Sequence, residues 1–286
     1  MCAADQTPPP PRLSRAGLAP VHHLEVLDHR GQPRQAAVPG ESPLTIKVDG
    51  REIVTLMTMG TNPEELALGY LHNQRLLEDI ADIESVSVDW GRETVSVATR
   101  HGQGIPDLDA KLSRVTVTSG CGQGTLFSCT VDKLYERKLP RVRVRQSTIY
   151  QVLREVASLN HIYRQAGSVH GCGLCQGGRV LMYVEDVGRH NAADTIAGRM
   201  WLDAISGEDK ILYTTGRLTS EIMMKAAFMG IPVLLSKSGL TQMGLELARD
   251  MGMVVIGRAR GNRFLVFCGG DQVIFDAIPE ADSTSP

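Results

Sequence analysis

No apolar run in this 286-residue chain approaches the roughly 18 residues that a membrane-spanning helix needs, so no membrane partner is expected. The opening segment, MCAADQTPPPPRLSRAGLAP, lacks the basic-then-apolar order of a secretory signal, and the chain reads as cytoplasmic. Charge of either sign is not in excess. Thirty Lys and Arg stand against 32 Asp and Glu, for a net charge of −2. Nothing global therefore draws the chain to nucleic acid or to a lipid surface, although a local basic patch can still hold a phosphorylated ligand. In a reducing compartment disulfides do not persist. Cys2, Cys121, Cys129, Cys172, Cys175 and Cys268 thus read as reactive, metal-binding or buried, and not as a disulfide framework.

What is present describes an ordinary globular chain: 42% apolar and 22% charged residues, with length for one large domain or two modest ones. Residues 1–20 are polar and proline-rich, with Pro8–Pro11 consecutive, and read as a disordered tail. Residues 21–145 read as a β-rich subdomain. Two hairpins punctuate it, one turning at Asp49-Gly50 and one at Trp90-Gly91. Between them Asn62-Pro63-Glu64-Glu65 opens a helix, the proline suiting its first turn and the acids its dipole. Residues 146–275 alternate strands and helices, which predicts a three-layer α/β core with mostly parallel strands. An amphipathic helix over 147–166, capped by Ser147, opens this part. Residues 276–286 read as a second tail. No internal repeat is evident.

The stretch VTVTSGCGQGTLFSCT (115–130) predicts a β-branched strand that breaks into a glycine-rich turn. Cys121 sits in that turn with glycine on both sides, so little side-chain bulk shields its sulfur. Two readings stand here: a presented, reactive thiol, or a tight turn with an incidental one. The segment His170-Gly171-Cys172-Gly173-Leu174-Cys175 contains a CxxC in what reads as a glycine-rich loop. Buried small residues, auxiliary thiols or part of a zinc site, with His170 and Cys121 or Cys129 completing four ligands, are all open. Glu185-Asp186-Val187-Gly188-Arg189-His190-Asn191 packs carboxylates, a guanidinium and an imidazole into seven residues past a strand. It reads either as proton-handling and phosphate-gripping chemistry or as a helix start with Arg189 and His190 solvated. Arg258-Ala259-Arg260-Gly261-Asn262-Arg263 reads as a phosphate clamp or as a solvated turn. Thr215-Gly216-Arg217 is a third glycine–arginine turn at a strand end, where α/β sheets bind ligands.

Read together, EELALGY (64–70), SGCG (119–122), His170, EDVGRHNAADTIAG (185–198), TGRLTSEIMMKAAFMGIPVLLSKSGLTQMGLELA (215–248) and IGRARGNRF (256–264) resemble the formate dehydrogenase accessory family FdhD. The resemblance runs from about residue 40 to 268. It implies a cytidine-deaminase-like α/β core, a homodimer, and a sulfurtransferase-like sulfur carrier. Such a carrier takes sulfane sulfur from a cysteine desulfurase as a protein persulfide. It then passes the sulfur to the molybdenum bis(molybdopterin guanine dinucleotide) cofactor of formate dehydrogenase. By resemblance Cys121 bears the persulfide and Arg258, Ala259, Arg260, Gly261, Asn262 and Arg263 hold the guanine-dinucleotide cofactor. His170, Cys172, Cys175, Arg189 and His190 are possible auxiliary residues. No permanent metal is expected, because the deaminase zinc signature is missing. The family's loop carries a second cysteine three residues after the first; Gly124 stands there. Either Cys121 suffices, or Cys172 or Cys175 serves as the relay thiol. A competing reading is a chaperone that holds the cofactor without covalent chemistry.

Overall fold

The computed structural model describes residues 8–112, 115–118, 124–127, 134 and 139–277. Along the chain run β1 (Arg12–Leu13), β2 (Val21–Leu27), β3 (Pro33–Pro39), β4 (Ser42–Val48), β5 (Arg51–Thr58), α1 (Pro63–Asn73), β6 (Ile83–Asp89) and β7 (Thr94–Thr99). Next come α2 (Leu108–Leu112), β8 (Val115–Thr118), β9 (Gly124–Phe127), β10 (Val144–Arg145), α3 (Gln146–Leu159) and α4 (His161–Ala166). The remainder is β11 (His170–Gln176), β12 (Arg179–Asp186), α5 (Arg189–Leu202), β13 (Lys210–Thr214), α6 (Ser220–Phe228), β14 (Val233–Ser236), α7 (Gln242–Asp250), β15 (Val254–Arg260), β16 (Arg263–Cys268) and β17 (Val273–Ile274). The protein is α/β, as its alternation predicts.

Two compact units interleave in the chain. One comprises residues 1–132, 162–170 and 185–205; the other comprises 133–161, 171–184 and 206–286. A single boundary near 145 therefore does not describe the organisation, because α4 and α5 return to the first unit.

The first unit is built on a five-stranded sheet ordered β1-β6-β7-β4-β5. The expected hairpin at Asp49-Gly50 joins β4 to β5, with both turn residues at positive φ (46° and 82°). Alternation then places Leu44, Ile46, Val48, Val86, Val95 and Val97 on one buried face, as a half-buried sheet requires. α1 and α5 cross at two glycines. A Cβ on Gly69 would collide with the carbonyl of Asp194, and one on Gly198 with the carbonyl of Glu65. Close backbone approach results from the missing side chains.

The proline-rich segment corrects the expectation of a disordered tail over residues 8–20. β1 pairs parallel with β6. Beyond it the Ser14 hydroxyl and the Ala16 N–H donate to Glu64 at 2.6 and 2.9 Å, and the Leu18 N–H donates to the Gly60 carbonyl at 2.8 Å. Low hydrophobicity did not prevent order, because this arm finds backbone and carboxylate partners instead of a core of its own.

The second unit holds a six-stranded sheet ordered β12-β11-β13-β14-β15-β16. It is parallel only in its middle: β13, β14 and β15 pair parallel, while β11 and β16 run antiparallel to their neighbours. Ile149, Val152 and Val156 of α3 join Ile211, Tyr213, Leu235, Val254 and Ile256 in one buried cluster. The helix predicted over 147–166 is two helices separated at Asn160, and Ser147 lies inside the first turn. Its N–H and hydroxyl donate to Asp276 at 2.9 and 2.8 Å.

An internal repeat that sequence alone did not reveal is plain in the second unit. β13 with α6 and β14 with α7 are successive copies of one strand–loop–helix unit. Leu218, Thr219, Ala226, Met229 and Gly230 correspond to Leu240, Thr241, Ala248, Met251 and Gly252. In each copy a hydroxyl at the strand end accepts from the N–H two residues on, Gly216 to Thr214 at 3.1 Å and Ser238 to Ser236 at 2.9 Å. Each helix is followed by a glycine at positive φ, 73° at Gly230 and 67° at Gly252, the usual glycine exit from a helix.

Candidate functional site

β8 and β9 pair antiparallel on either side of residues 119–123 in sequence. Val115 pairs with Phe127 and Thr118 with Gly124. Cys121 belongs to the five residues 119–123 that join them and lies outside the described residues, as does Cys129. Gly124, at the position of the family's second loop cysteine, opens β9 opposite Thr118.

The CxxC is not a loop. Cys172 and Cys175 lie in β11, an interior strand, and both are fully buried. Side chains alternate along a strand, so residues three apart point to opposite faces. Cys175 joins the cluster with Ile211 and Tyr213, and Cys172 does not. At about 3.3 Å per residue they stand about 10 Å apart along the strand. That separation and orientation forbid a shared zinc ion or a disulfide. Burial pushes the Cys175 thiol up to about 12, with the nearby Glu155 charge adding to it. A thiolate is the reactive form, and burial disfavours it at this sulfur. Of the readings open for this segment, the burial of Cys172 and Cys175 fits that of buried small residues. The glycines misled because they read as loop formers. Here they are required by packing: a Cβ on Gly171 would meet the Tyr183 hydroxyl at the neighbouring strand. His170 begins the same strand and is half-buried.

The segment 185–191 is a structural junction in the first unit. Glu185 accepts from the N–H groups of Ile162 and Tyr163, both at 2.9 Å, and so holds the start of α4. Asp186 is buried and accepts four hydrogen bonds. The Thr58 hydroxyl (2.6 Å) and Met59 N–H (3.1 Å) meet one oxygen, and the Gly188 N–H (2.8 Å) and Asn191 amide (2.9 Å) meet the other. Burial raises its pKa against the pull of those donors. Arg189 and His190 begin α5 and are buried, 4% and 8% exposed, not solvated. Asp194, also buried, accepts from Asn73 of α1 at 2.7 Å.

The arginine segment has the opposite character. Arg258, Arg260, Gly261, Asn262 and Arg263 are exposed, while Ala259 is buried. β15 and β16 form a hairpin in which Arg260 stands directly opposite Arg263. Like charges directly opposed in a sheet destabilise it. Arg258 occupies a bulge with φ of 52°, a backbone region unfavourable for a non-glycine residue. The Tyr150 hydroxyl donates to the Asn262 carbonyl at 3.1 Å and steadies the turn. A surface that sets guanidiniums against each other and strains one to do so fits an anionic ligand.

Among the described residues no cluster of three His, Cys, Asp or Glu side chains can hold a metal ion, and no helix is long and apolar enough to cross a membrane.

The FdhD/NarQ family profile matches residues 39–274, and the chain belongs to that family. It is 30% identical over 235 residues to the "Sulfur carrier protein FdhD" of Staphylococcus aureus, covering 82% of this chain and 88% of that protein. It is 29% identical over 228 residues to that of Bacillus pumilus, covering 79% and 86%. The crystal structure of a putative formate dehydrogenase accessory protein from Desulfotalea psychrophila superposes with a TM-score of 0.70 at 28% identity, covering 89% of this chain and 98% of that one.

Proposed function

We propose that the protein is a cytoplasmic, homodimeric sulfur carrier in which Cys121 takes sulfane sulfur from a cysteine desulfurase and passes it to a molybdenum bis(molybdopterin guanine dinucleotide) acceptor destined for formate dehydrogenase. The observation that carries the reading is the family match over residues 39–274, with relatives named as sulfur carriers. The surroundings of the three described cysteines support it. Cys172 and Cys175 are sealed in a strand, and burial pushes the half-buried Cys268 thiol up as well. Cys121 and Cys172 each stand between two glycines in sequence, and of these Cys172 is buried in its strand. The Cys121 thiolate attacks the terminal sulfur of the donor's persulfide, the donor cysteine leaves as thiolate, and Cys121 is left as a persulfide. Transfer to the acceptor returns Cys121 to its thiolate. The arginines of the β15–β16 turn hold the anionic, nucleotide-bearing part of that acceptor.

The test is intact-protein mass spectrometry after incubation with a cysteine desulfurase and cysteine. Wild type gains about 32 Da, one sulfur atom on a thiol. Cys121→Ala abolishes the gain, and the Cys172→Ala/Cys175→Ala double variant keeps it. Loss in the double variant would move the reactive site. No gain in wild type would favour a cofactor-holding chaperone without covalent transfer.

A further inference from the structure

The hairpin β2–β3 pairs seven residues on each strand without a bulge, from Val21 with Pro39 to Leu27 with Pro33, and it joins no other described strand. A two-stranded hairpin by itself is only marginally stable in water. One of its faces carries Leu24, Val26, Ala36 and Val38, and of these Leu24, Val26 and Val38 are exposed. Its two edges differ. Hydrogen bonds from the Asp28 N–H to Gln32 and from the Gly40 N–H to Pro20, both 2.9 Å, flank the ladder. Alternation then bonds the even-numbered residues of β2 to β3 and turns the N–H and C=O groups of Val21, His23, Glu25 and Leu27 outward. The outward positions of β3 are Pro33, Gln35, Ala37 and Pro39, and a proline has no N–H to offer. β2 has neither lysine nor proline, the residues that usually guard an edge. Among the described residues no hydrogen bond is made to its outward backbone groups. The His23 ring meets the Gln165 amide at 3.4 Å, a contact of side chains that leaves this edge open.

An unguarded edge recruits a further strand, and the residues of β2 suit a second copy of β2. A twofold axis perpendicular to the sheet through Leu24 pairs two such strands antiparallel along their whole length. Leu24 then meets its own counterpart, Val21 meets Leu27, His22 meets Val26, and each His23 meets the partner subunit's Glu25. The outward residues fall in the hydrogen-bonded pairs, so each open N–H of the edge finds a carbonyl. Apolar side chains exposed in the single chain gain cross-strand neighbours, and the imidazole–carboxylate pair forms twice. An axis through Glu25 would instead oppose two carboxylates and shorten the overlap, and like charges directly opposed disfavour it. We propose that β2 is a homodimer interface, at which two copies join edge to edge through Leu24 into one sheet ordered β3-β2-β2-β3. Such a contact is isologous and closes on itself. It rests on the homodimer reading above and assigns the surface that forms it.

Sedimentation velocity of the full chain over a concentration series tests it, with circular dichroism verifying the folding of each variant. Wild type is expected to dimerise. His23→Pro and Glu25→Pro each remove an outward N–H while sparing the hairpin's own hydrogen bonds. Each is expected to weaken dimerisation about tenfold or more, because the twofold axis turns one lost donor into two. His23→Glu opposes carboxylates across the interface and is expected to weaken it about fivefold. The exchange His23→Glu/Glu25→His rebuilds the pair in reverse and should return the dimer to within about twofold of wild type. That rescue contains no proline, so it decides the matter if a proline variant fails to fold. A wild type that is monomeric at every concentration overturns both the interface and the homodimer reading. A wild-type dimer that His23→Pro, Glu25→Pro and His23→Glu all leave intact overturns the interface alone, and the homodimer then forms on another surface. Loss in His23→Glu without rescue by the exchange overturns the pairing through Leu24.

Discussion

Gly188-Arg189-His190 and Gly257-Arg258 look alike in sequence: a glycine and a cation just after a β-rich run. Their environments are opposite. The first pair of side chains is buried at the start of α5, and the arginines of the second segment stand in solvent on a strand hairpin. The residues on the C-terminal side of each pair decide its fate. After His190 come Ala192, Ala193, Ala197 and Gly198, small residues on a helix that α1 can approach closely. After Arg258 the residues alternate buried Ala259 with exposed Arg260, as a strand with one free face does. A glycine–arginine pair names a turn; the next two turns of chain say whether it faces a ligand or a core.

The comparison breaks most readily at the helix crossing. Gly198→Leu places a branched side chain against the backbone of α1 at Glu65, with no flexible group to move aside. A loss of about 3 kcal/mol or more is expected from such overpacking. Both tryptophans, Trp90 and Trp201, belong to the first unit, so their fluorescence during urea unfolding tracks this change. An unchanged midpoint would mean that α5 is not held by close backbone contact.

Asp186 sharpens the comparison next. Asp186→Ala leaves the Thr58 hydroxyl, the Asn191 amide and two backbone N–H groups without their acceptor. Unmet buried donors cost about 1–3 kcal/mol each before relaxation, so a net loss of about 2–4 kcal/mol is expected. The pH dependence has a defined sign. Burial raises the folded-state pKa above the ordinary 3.8, so the folded state holds its proton longer than the unfolded one. This group's contribution therefore declines as pH rises from about 3.8 through the raised value, where the carboxylate must be formed in a buried place. Asp186→Asn removes that decline. Parallel stability–pH curves for wild type and Asp186→Asn over this window would show that the carboxylate titrates as though exposed.

How far these environments were legible depends on how local their causes are. The Asp49-Gly50 turn, the Pro63 helix start and the strand–helix alternation after residue 179 are set by neighbours in sequence, and the structure has them in place. The arm over residues 8–20 was not legible, because its partners Glu64 and Gly60 lie far along the chain. Nor was β11. HGCGLCQ carries the glycines of a loop, but its glycines answer to Tyr183 across the sheet. For the candidate site, the arginine turn was readable as an exposed strand connection. The burial of Arg189 and His190 was not, since it depends on a helix fold that no seven-residue window contains. The repeat was legible in principle; its few identities are spread thinly enough that the shared hydroxyl turns and glycine helix ends make it visible.

The smallest expected effect on stability lies at the other end of the comparison. Arg260 is exposed, forms no ion pair among the described residues, and faces Arg263 across the hairpin. Nothing in the fold is satisfied by its guanidinium. Arg260→Ala should therefore change stability by no more than about 0.5 kcal/mol, the usual range for surface positions, and relief of the opposed charges biases the sign towards stabilisation. Thermal unfolding at low salt tests this, because added salt screens the Arg260–Arg263 repulsion and shrinks the gain. A loss above about 1 kcal/mol would mean that the guanidinium supports the turn. The arginine would then be explained by architecture, as Arg189 is by its place in a buried helix, and the contrast between the two segments would lose its functional meaning. A stabilised variant with weakened acceptor binding is the opposite case: a charge kept at the expense of the fold, for which a ligand is the physical reason.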